Sequence, residues 1–561
     1  MQMTGAELIV KVLELQNITQ IAGIPGGAAL PLYDALSHSK KIKHILARHE
    51  QGAGFIAQGI ARATGKPAVC ISSSGPGATN LVTAIADAKL DSIPLVCITA
   101  QVANNLIGTD AFQEIDTYGI SIPITKYNYL VRDIIDLVPS LIEAFELAKD
   151  GRPGPVWLDI PKDVLMAKIA LEDVTDQLAS IGKPSTYNHR SHSIEQLIKD
   201  AADWINHSKR PILYLGGGII HSNASSEALS LAELSSLPTT MTLMGLGAIP
   251  TTHPLSIGML GMHAARYTNL ILNEADLLIV IGARFDDRAV GKVTEFCPNA
   301  KIIHIDIDAA EIDKIKVANI AIEADAAAVI RQLIEYISPN ERYDWLERIT
   351  KVKADYPLIT ENKDDPLSHY GLIYHCAEYA AEDAIITTDV GQHQMWVAQV
   401  YPMLTPRQWL TSGGLGTMGF GLPAAIGAAI ACPGRQVLCF TGDGSIMMNL
   451  QEMATLVEHQ LNVKIILLNN RALGMVHQQQ SLFYDNQIYA STYHCQTNFL
   501  KIAEGFGLRT FDLNQSINPA VALQGALNSE GPCLIHAFID LHNKVYPVVV
   551  PGASNINMIN A

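Results

Sequence analysis

The 561-residue sequence has few charged residues and few aromatic residues, and it lacks both a paired cysteine motif and a long apolar run. Charged residues make up 17 % of the chain and aromatic residues 6 %. The eight cysteines are scattered without a CxxC pair, so we expect buried, reduced thiols rather than a zinc site or a disulfide framework. No apolar run reaches the roughly 18 residues of a membrane span, which argues against a membrane protein.

The charge balance excludes a second class of function. The formal net charge is −16, whereas a general nucleic-acid-binding face is strongly basic. A few local arginines can still attract an anionic small molecule. The first residues lack the features of a signal or transit peptide and place Leu8, Val12 and Leu15 at helical spacing. We therefore expect a cytoplasmic protein that binds neither nucleic acid nor a membrane.

Three parts of the chain alternate short apolar runs with amphipathic segments. The runs QIAGIPG and KPAVCISSS predict strands in the first part, RPILYLGGGII and ADLLIVIGARF in the second, and QVLCFTGDG and VKIILLNN in the third. This pattern predicts an α/β protein with three doubly wound parallel sheets, of which the first and third could share one architecture. The predicted units span 1–168, 190–340 and 365–540, with a linker from about 170 to 195 and a tail, 541–561, that could fold over a site.

A carboxylate and a carboxamide follow two consecutive strands of the third unit. Asp443 follows one apolar run and Asn470 the next, 27 positions later (470 − 443), with one predicted helix between them. That helix would place Leu450, Met453 and Val457, together with Ala454, on one face. Because neighbouring parallel strands end at the same edge of a sheet, Asp443 and Asn470 should lie together there.

Two hard oxygen donors at that edge suit Mg²⁺, which commonly bridges to a phosphate. The flanking Gly442 and Gly444 leave room for a diphosphate and expose backbone N–H groups to it. A lone Gly-Asp-Gly is more often a tight turn, and Asn-Asn is often a loop end. The spacing of the two motifs across one βαβ unit favours the metal–diphosphate interpretation.

With these residues in view, the chain resembles the acetohydroxyacid synthase (acetolactate synthase) family, in its large catalytic subunit and nearest the bacterial isozyme I type. The resemblance runs nearly end to end through RHEQGAGFIAQG, GTDAFQEID, GRPGPVWLDIPKDV, GARFDDR, TTDVGQHQMW, SGGLGTMGFG and ALGMVHQQQSLFY. It implies a thiamine-diphosphate enzyme that decarboxylates pyruvate and joins the two-carbon unit to a second 2-ketoacid. The acceptor would be pyruvate or 2-oxobutyrate, and the product 2-acetolactate or 2-aceto-2-hydroxybutyrate, early in branched-chain amino-acid biosynthesis.

The resemblance implies roles for particular residues of this chain toward thiamine diphosphate and Mg²⁺. Glu50 would hold the pyrimidine ring through N1′; a simpler interpretation is a helix-start glutamate favoured by the helix dipole. Mg²⁺ would be held by Asp443, Asn470 and the backbone of Ala472. The other implied thiamine-diphosphate contacts are Val390, Gly391, Gln392, His393, Gly416, Met418, Gly442, Gly444, Ser445, Gly474 and Met475.

The middle unit carries glycines and acidic residues after its strands but no GxGxxG fingerprint. The residue pattern alone leaves open a dinucleotide site, a substrate domain or a cofactor-free spacer. The resemblance implies that FAD binds here in a structural role, along Arg152, Gly216, Gly217, Gly218, His263, Arg284, Asp306 and Asp325.

Four further residues are implied to act near the substrate. Arg288 is the candidate for the acceptor carboxylate, because a guanidinium matches a carboxylate; the alternative is a salt bridge to Asp286 or Asp287. Gln113 and Lys126 match polar positions of the family's active-site channel. Gln479 stands where many family members carry a tryptophan, so we expect weak discrimination between pyruvate and 2-oxobutyrate.

The resemblance also implies partners. In the family, the residues matching Glu50 and Asp443 meet at one cofactor across a subunit boundary, which implies a homodimer or homotetramer. A separate small regulatory subunit is also implied. Two rival functions remain open from the sequence: a pyruvate oxidase-like enzyme that reduces FAD, and an inactive cofactor-binding homologue.

Overall fold

The computed structural model describes residues 2–182 and 194–560, which form three six-stranded parallel sheets in succession along the chain. Met1, residues 190–193 and Ala561, which the predicted units include, lie outside the described residues. None of the described helices combines the length and the apolar character needed to cross a bilayer. The α/β fold class predicted from the sequence is confirmed.

The first unit has the strand order β3-β2-β4-β5-β7-β6, and its short strands β1 and β8 pair separately in an antiparallel manner. Helix α1 begins at a capping box in which Thr4 and Glu7 bond to each other's backbone N–H groups. The elements are β1 Gln2–Thr4, α1 Gly5–Leu15, β2 Gln20–Gly23, α2 Leu30–Ser37, β3 Lys43–Leu46, α3 Glu50–Thr64, β4 Ala68–Ser72, α4 Pro76–Asn80, α5 Val82–Leu90, β5 Leu95–Gln101, α6 Thr117–Ser121, β6 Tyr127–Leu130, α7 Ile134–Lys149, β7 Pro155–Pro161, α8 Lys162–Met166, β8 Lys168–Ala170 and α9 Thr175–Ser180.

The middle unit has the strand order β11-β10-β9-β12-β13-β14, which is the doubly wound order of dinucleotide-binding folds. In such a sheet the ligand crevice lies where the order reverses, here between β9 and β12. The elements are α10 Glu195–His207, β9 Pro211–Leu215, α11 Gly217–His221, α12 Ser225–Leu234, β10 Thr239–Met241, β11 Ser256–Met259, α13 Arg266–Asn273, β12 Leu277–Ile281, α14 Asp287–Val290, β13 Lys301–Asp306, β14 Ile320–Glu323, α15 Ala326–Ile334 and α16 Tyr343–Asp355.

The third unit has the strand order β16-β15-β17-β18-β20-β19, which repeats the connectivity of the first. The predicted similarity of the two outer units is therefore confirmed. The elements are α17 His369–Tyr379, β15 Ile385–Thr388, α18 Gln392–Val400, β16 Trp409–Leu410, α19 Gly421–Ala431, β17 Val437–Gly442, α20 Asp443–Ile446, α21 Glu452–Glu458, β18 Val463–Asn469, α22 Gly474–Phe483, α23 Phe499–Phe506, β19 Arg509–Asp512, α24 Pro519–Leu527, β20 Cys533–Phe538, β21 Val548–Val549 and β22 Met558–Ile559.

The crossover between β17 and β18 differs from the prediction. Two short helices, α20 and α21, replace the single helix expected between Asp443 and Asn470. The buried positions of α21 include Met453 and Leu456, whereas Ala454 and Val457 of the predicted face are only half-buried. The prediction was wrong because the chain turns into a helix directly at Asp443, which shifts the start of the second helix to Glu452.

Two connecting segments also differ from simple loops. The first half of the predicted linker contains α9, while its residues 183–193 lie outside the described part of the chain. The tail forms the antiparallel pair β21–β22 and packs on the middle unit. The N–H of Val549 donates to the carbonyl of Met262 at 3.0 Å, and Asn555 Nδ2 donates to the carbonyl of Ala289 at 2.8 Å. The tail therefore packs beside the end of the segment that carries GARFDDR.

Candidate functional site

Asp443 and Asn470 lie together at the carboxyl ends of the neighbouring parallel strands β17 and β18. The backbone N–H of Asn470 points to Asp443 Oδ1 at 3.4 Å, and Asn470 Oδ1 accepts the N–H of Ala472 at 3.2 Å. Asp443 and Asn470 are only 3 % and 8 % exposed. The structure thus brings together the pair that the sequence analysis selected.

Burial makes the ionised form of the Asp443 carboxylate unfavourable unless a cation lies beside it. Burial raises its pKa to about 6, and the N–H groups of Asn470 and Ala472 only partly offset that effect. No group of three His, Cys, Asp or Glu side chains able to hold a metal occurs among the described residues. One carboxylate, one amide and a backbone carbonyl fit Mg²⁺, which keeps water and phosphate oxygens as its other ligands.

Neighbouring side chains pack so closely against the two glycines beside Asp443 that neither position has room for a Cβ. A Cβ on Gly442 would lie 3.0 Å from His393 Nδ1, and a Cβ on Gly444 would lie 2.7 Å from a methyl carbon of Leu473. Burial lowers the pKa of His393 to about 3, and its Nε2 has no hydrogen-bond partner within residues 2–182 and 194–560. Ser445 Oγ caps the turn by accepting the N–H of Gly442 at 3.2 Å. This cradle fits a diphosphate group.

The amide of Gln392 links the Asp443 region to the helix α22. Its Oε1 accepts Asn470 Nδ2 at 3.1 Å, and its Nε2 donates to Gln478 Oε1 at 2.9 Å. A Cβ on Gly474 would come within 2.2 Å of Gln392 Oε1, so this contact requires glycine. The predicted positions 392, 442–445, 470–472 and 474 therefore form one contiguous cluster.

A large cavity of about 1380 Å³ borders this cluster and is lined by all three units. The third unit contributes Val390, Gly416 and Met475 to its wall. Met418 is half-buried and is not among the residues lining the cavity. Seven of the eight residues that the sequence analysis assigned to FAD line the same cavity: Arg152, Gly217, Gly218, His263, Arg284, Asp306 and Asp325.

The eighth of these residues, Gly216, lies at the point where the middle sheet reverses its order. A Cβ on Gly216 would lie 2.0 Å from the carbonyl oxygen of Gly282, so the loops after β9 and β12 touch through glycine backbone. This close approach opens the crevice beside them without a GxGxxG motif. Burial lowers the pKa of His263 on the cavity wall to about 4, and its Nδ1 lacks a partner in the described ranges. The crevice fits an extended dinucleotide.

Arg152, one of these seven, already has protein partners. Its Nη1 lies 3.1 Å from Asp308 Oδ2 and 2.6 Å from Glu311 Oε1, and its Nε donates to Ser92 Oγ at 2.8 Å. Burial lowers the pKa of Arg152, but the hydrogen bonds that it donates to these two carboxylates keep that pKa above its usual value. Its guanidinium is thus fixed at the cavity wall by the end of β13.

Arg288 and Gln479 also line the cavity, from opposite units. Arg288 Nε lies 3.6 Å from Asp287 Oδ2, but both side chains are well exposed, at 62 % and 82 %. An exposed pair at that distance contributes little, so the alternative salt bridge leaves the guanidinium free to meet an anion.

Glu50 lies elsewhere, at the start of α3 after β3. His49 caps this helix by accepting the N–H of Gln51, and Asn80 Nδ2 donates to Glu50 Oε2 at 2.9 Å. Gln113 approaches the same region, because a Cβ on Gly75 would lie 2.9 Å from its Cα. Glu50 is not among the residues lining the large cavity.

The channel role of Lys126 stays a prediction. Its ammonium group donates to the backbone oxygen of Asp150, and the residue does not line the cavity. Two other features were missed by sequence reasoning. Asn80 ends the run GPGATN at 75–80, and the acidic pair Asp87 and Asp91 contacts a loop more than 300 positions away.

Comparisons with known proteins agree with this geometry. Family models described as thiamine pyrophosphate enzyme N-terminal TPP binding domain, central domain and C-terminal TPP binding domain match residues 3–120, 198–333 and 389–537.

Named relatives cover nearly the whole chain. The acetolactate synthase isozyme 1 large subunit of Escherichia coli (strain K12) is 61 % identical, over 99 % of this chain and 97 % of its own length. The isozyme 2 large subunit of the same organism is 42 % identical over 99 % of both chains. The acetolactate synthase large subunit of Pyropia yezoensis is 43 % identical, over 99 % of this chain and 95 % of its own.

These matches cover all three sheets, and so all three units that line the cavity. The expected similarity to the isozyme I type is confirmed. The chain belongs to the acetolactate synthase large-subunit family of thiamine-diphosphate-dependent enzymes.

Proposed function

We propose that the Asp443–Asn470 cluster holds Mg²⁺ and the diphosphate of thiamine diphosphate, and that this protein makes acetolactate at the adjoining cavity. The observation that carries the proposal is the buried carboxylate of Asp443 beside Asn470 at two neighbouring strand ends. The Ala472 carbonyl supplies a third oxygen, and the cradle of Gly391, His393, Gly442, Gly444 and Ser445 receives the diphosphate. Gly474, Met475, Val390, Gly416 and Met418 surround the two rings.

Thiamine diphosphate, when bound, supplies an electron sink for the loss of CO₂ from pyruvate. The residues of the chain bind and orient the reactants around it. Glu50 holds a proton at the pyrimidine N1′, and Asn80 fixes that carboxylate by donating to its other oxygen. The apolar wall around Met475 excludes water, which would otherwise protonate the two-carbon unit before it meets the acceptor.

The middle unit would hold FAD in a structural role. Gly216, Gly217 and Gly218 provide the close backbone approach at the reversal point, and the residues Arg152, His263, Arg284, Asp306 and Asp325 extend along the cavity. The domains 1–168, 190–340 and 365–540 would then act as the pyrimidine, FAD and diphosphate units, with 541–561 as a cover. This division makes the cavity a junction of all three units.

Arg288 would bind the acceptor carboxylate, and Gln479 would form part of the acceptor pocket. An amide at position 479 presents no large apolar wall, and a methylene distinguishes acceptors by only about 1–3 kcal/mol. We therefore expect pyruvate and 2-oxobutyrate to compete nearly evenly, and a competition assay that found strong selection of 2-oxobutyrate would contradict this. Gln113 and Lys126 stay candidates for the channel, with Lys126 the weaker because its ammonium group is engaged by Asp150.

We also propose partner subunits and a cellular location for this chain. The relatives are named as large subunits, which supports a separate small regulatory subunit for this chain. A homodimer or homotetramer in the cytoplasm follows from the family resemblance, since Glu50 and Asp443 would serve one cofactor from two chains.

The deciding experiment incubates the purified full-length chain with pyruvate, thiamine diphosphate, Mg²⁺ and FAD and measures acetolactate. The D443N variant, which keeps the side-chain shape but loses the charge, should require far more Mg²⁺ for half-maximal activity. D383N, at an exposed position, is the matched control. Reduction of an acceptor dye in place of acetolactate would indicate an oxidase, and cofactor binding without CO₂ release would indicate an inactive homologue.

A further inference from the structure

A buried ion cluster joins the first unit to the third beside the cavity. Arg62 Nη2 lies 3.1 Å from Asp87 Oδ1 and 2.8 Å from Asp91 Oδ2, and these side chains are at most 5 % exposed. Arg62 is further fixed by Gln58, whose Oε1 accepts from its Nη2 at 2.8 Å. We call these three charged residues, Arg62, Asp87 and Asp91, the acidic clamp.

The acidic clamp has two carboxylates for one guanidinium, and its side chains are largely buried, although Arg62 and Asp91 line the cavity. Burial raises the pKa of Asp87, and the charge of Asp91 adds to that effect while Arg62 opposes it. Isolated buried charges are unfavourable unless hydrogen bonds satisfy their remaining lone pairs. The carboxylates therefore need additional donors, and they obtain them from a single loop of the third unit.

That loop spans residues 411–417 and is bound at several points. The hydroxyls of Ser412 and Thr417 both donate to Asp87 Oδ2, the second at 2.9 Å. The N–H groups of Gly413 and Gly414 donate to Asp91 at 3.1 and 2.7 Å. The two ends of the loop are thus tied to carboxylates of the first unit.

The loop is also closed on itself and tied to its own unit. The N–H of Thr417 donates to Ser412 Oγ at 2.8 Å, and Gln394 Nε2 donates to the carbonyl of Ser412 at 3.0 Å. Gly416 then projects from a loop whose two ends are fixed. It has φ of +69°, it lines the cavity, and a Cβ on it would lie 4.0 Å from a methyl carbon of Val390.

We propose that Asp87 is a positioning residue, which fixes the loop 411–417 through Ser412 and Thr417 and thereby presets the Gly416 backbone for thiamine diphosphate. This inference rests on the proposed function, because it takes Gly416 to contact that cofactor. Asp87 does not line the cavity, so it acts through the loop and not by touching the ligand. A preset loop lowers the cost of ordering the site when the cofactor binds.

The test measures the Kd of thiamine diphosphate with Mg²⁺ for the FAD-loaded full-length protein, by quenching of intrinsic fluorescence. We expect D87N to raise this Kd at least tenfold and to leave the KM for pyruvate, at saturating cofactor, within about twofold of the wild type. D159N is the matched control, because Asp159 is an equally buried carboxylate of the same unit, bonded to Thr99 and Gln101. It should leave the Kd unchanged.

S412A and T417V delete the two hydroxyls and keep the ion cluster, so they test the inference even if D87N fails to fold. Each should raise the Kd, and adding D87N to the pair should change it little further, because the hydroxyl contacts of Asp87 are then already gone. An unchanged Kd in S412A and T417V, or additive effects in the combination, would overturn the inference. Failure of the wild-type protein to bind thiamine diphosphate would instead overturn the proposed function and this inference with it.

Discussion

At the scale of single residues, Glu50 offers the sharpest test of the proposed chemistry. Its carboxylate accepts a hydrogen bond from Asn80 at the start of α3, and it forms no ion pair within the described part of the chain. E50Q keeps that geometry and removes the proton-holding charge, so kcat should fall by at least about 100-fold, as for loss of a general acid–base group. Acetolactate formation measures the fall in kcat, and far-UV circular dichroism checks that E50Q keeps the fold.

E172Q is the control for this prediction, because Glu172 is an exposed glutamate of the same unit. It should retain full activity. Turnover of E50Q within a few-fold of the wild type would show that the helix-dipole interpretation of Glu50 was the right one.

Asp159 gives a residue-scale prediction about stability. Burial raises the pKa of its carboxyl group to about 6, although Thr99 and Gln101 donate hydrogen bonds to it. Since this folded-state pKa exceeds the unfolded value, the group stabilises the fold fully below about pH 4, and this contribution is lost as the pH rises through about 6. D159N should flatten the change in Tm between about pH 4 and about pH 7.

The measurement is the Tm of wild type and D159N across that range by differential scanning calorimetry. D276N is the control. Asp276 is a half-buried carboxylate that accepts hydrogen bonds from backbone N–H groups, so it tests a carboxylate that is not fully buried. Parallel Tm profiles for wild type and D159N would show that Asp159 does not contribute to the pH dependence of stability.

At the scale of elements, α3 and α19 approach so closely that their glycines are required. A Cβ on Gly427 of α19 would lie 2.0 Å from the carbonyl oxygen of Ile56, and one on Gly59 of α3 would lie 2.2 Å from that of Ala424. G427A should therefore separate the helices at a cost of roughly 1–3 kcal/mol, measured as a lower Tm.

Gly525 in α24 is the matched control for G427A. A Cβ there would meet nothing within 4 Å, so G525A should keep or slightly raise the Tm by restricting the unfolded chain. A normal or raised Tm for G427A, or an equal loss in both variants, would contradict the close-packing explanation.

Elements also show how far the sequence could predict the fold. The strands that the apolar runs indicated are central ones such as β4, β5, β12, β17 and β18, which are buried throughout. Within the three six-stranded sheets, the strands that were missed are β6, β11, β14, β16 and β19, and all of them lie at sheet edges. Edge strands are short or partly exposed, so they lack the continuous apolar run on which the prediction depends.

The same distinction applies to the candidate site. Asp443 and Asn470 could be paired from the sequence, because they follow neighbouring strands of one βαβ unit. The contacts of Asp87 with Ser412 and Thr417 could not, because they join positions 325 and 330 residues apart in two different units. No periodicity or motif records a contact made only when two sheets are assembled.

At the scale of the whole molecule, one chain does not bring Glu50 to the cavity that Gly416 and Met475 line. Apolar side chains stand exposed beside both half-sites, with Phe112 at 88 % near Gln113 and Met448 at 51 % near Asp443. In the homodimer that we propose, both side chains would lie close to the partner. A second copy, related by two-fold symmetry, would cover both and complete two sites at once.

This arrangement predicts complementation between E50Q and D443N when Mg²⁺ is kept too low for D443N to be active. If each site takes Glu50 from one chain and Asp443 from the other, a mixed dimer of E50Q with D443N contains one site with both changes and one with neither. Random reassociation of equal amounts should therefore restore about a quarter of wild-type activity, since half of the dimers are mixed and half of their sites are intact. Sites built within one chain would give no intact site in any mixed dimer. Acetolactate assays on the variants, alone and after joint dissociation and reassociation, separate these outcomes, and a mixture as inactive as its components would rule out the shared site.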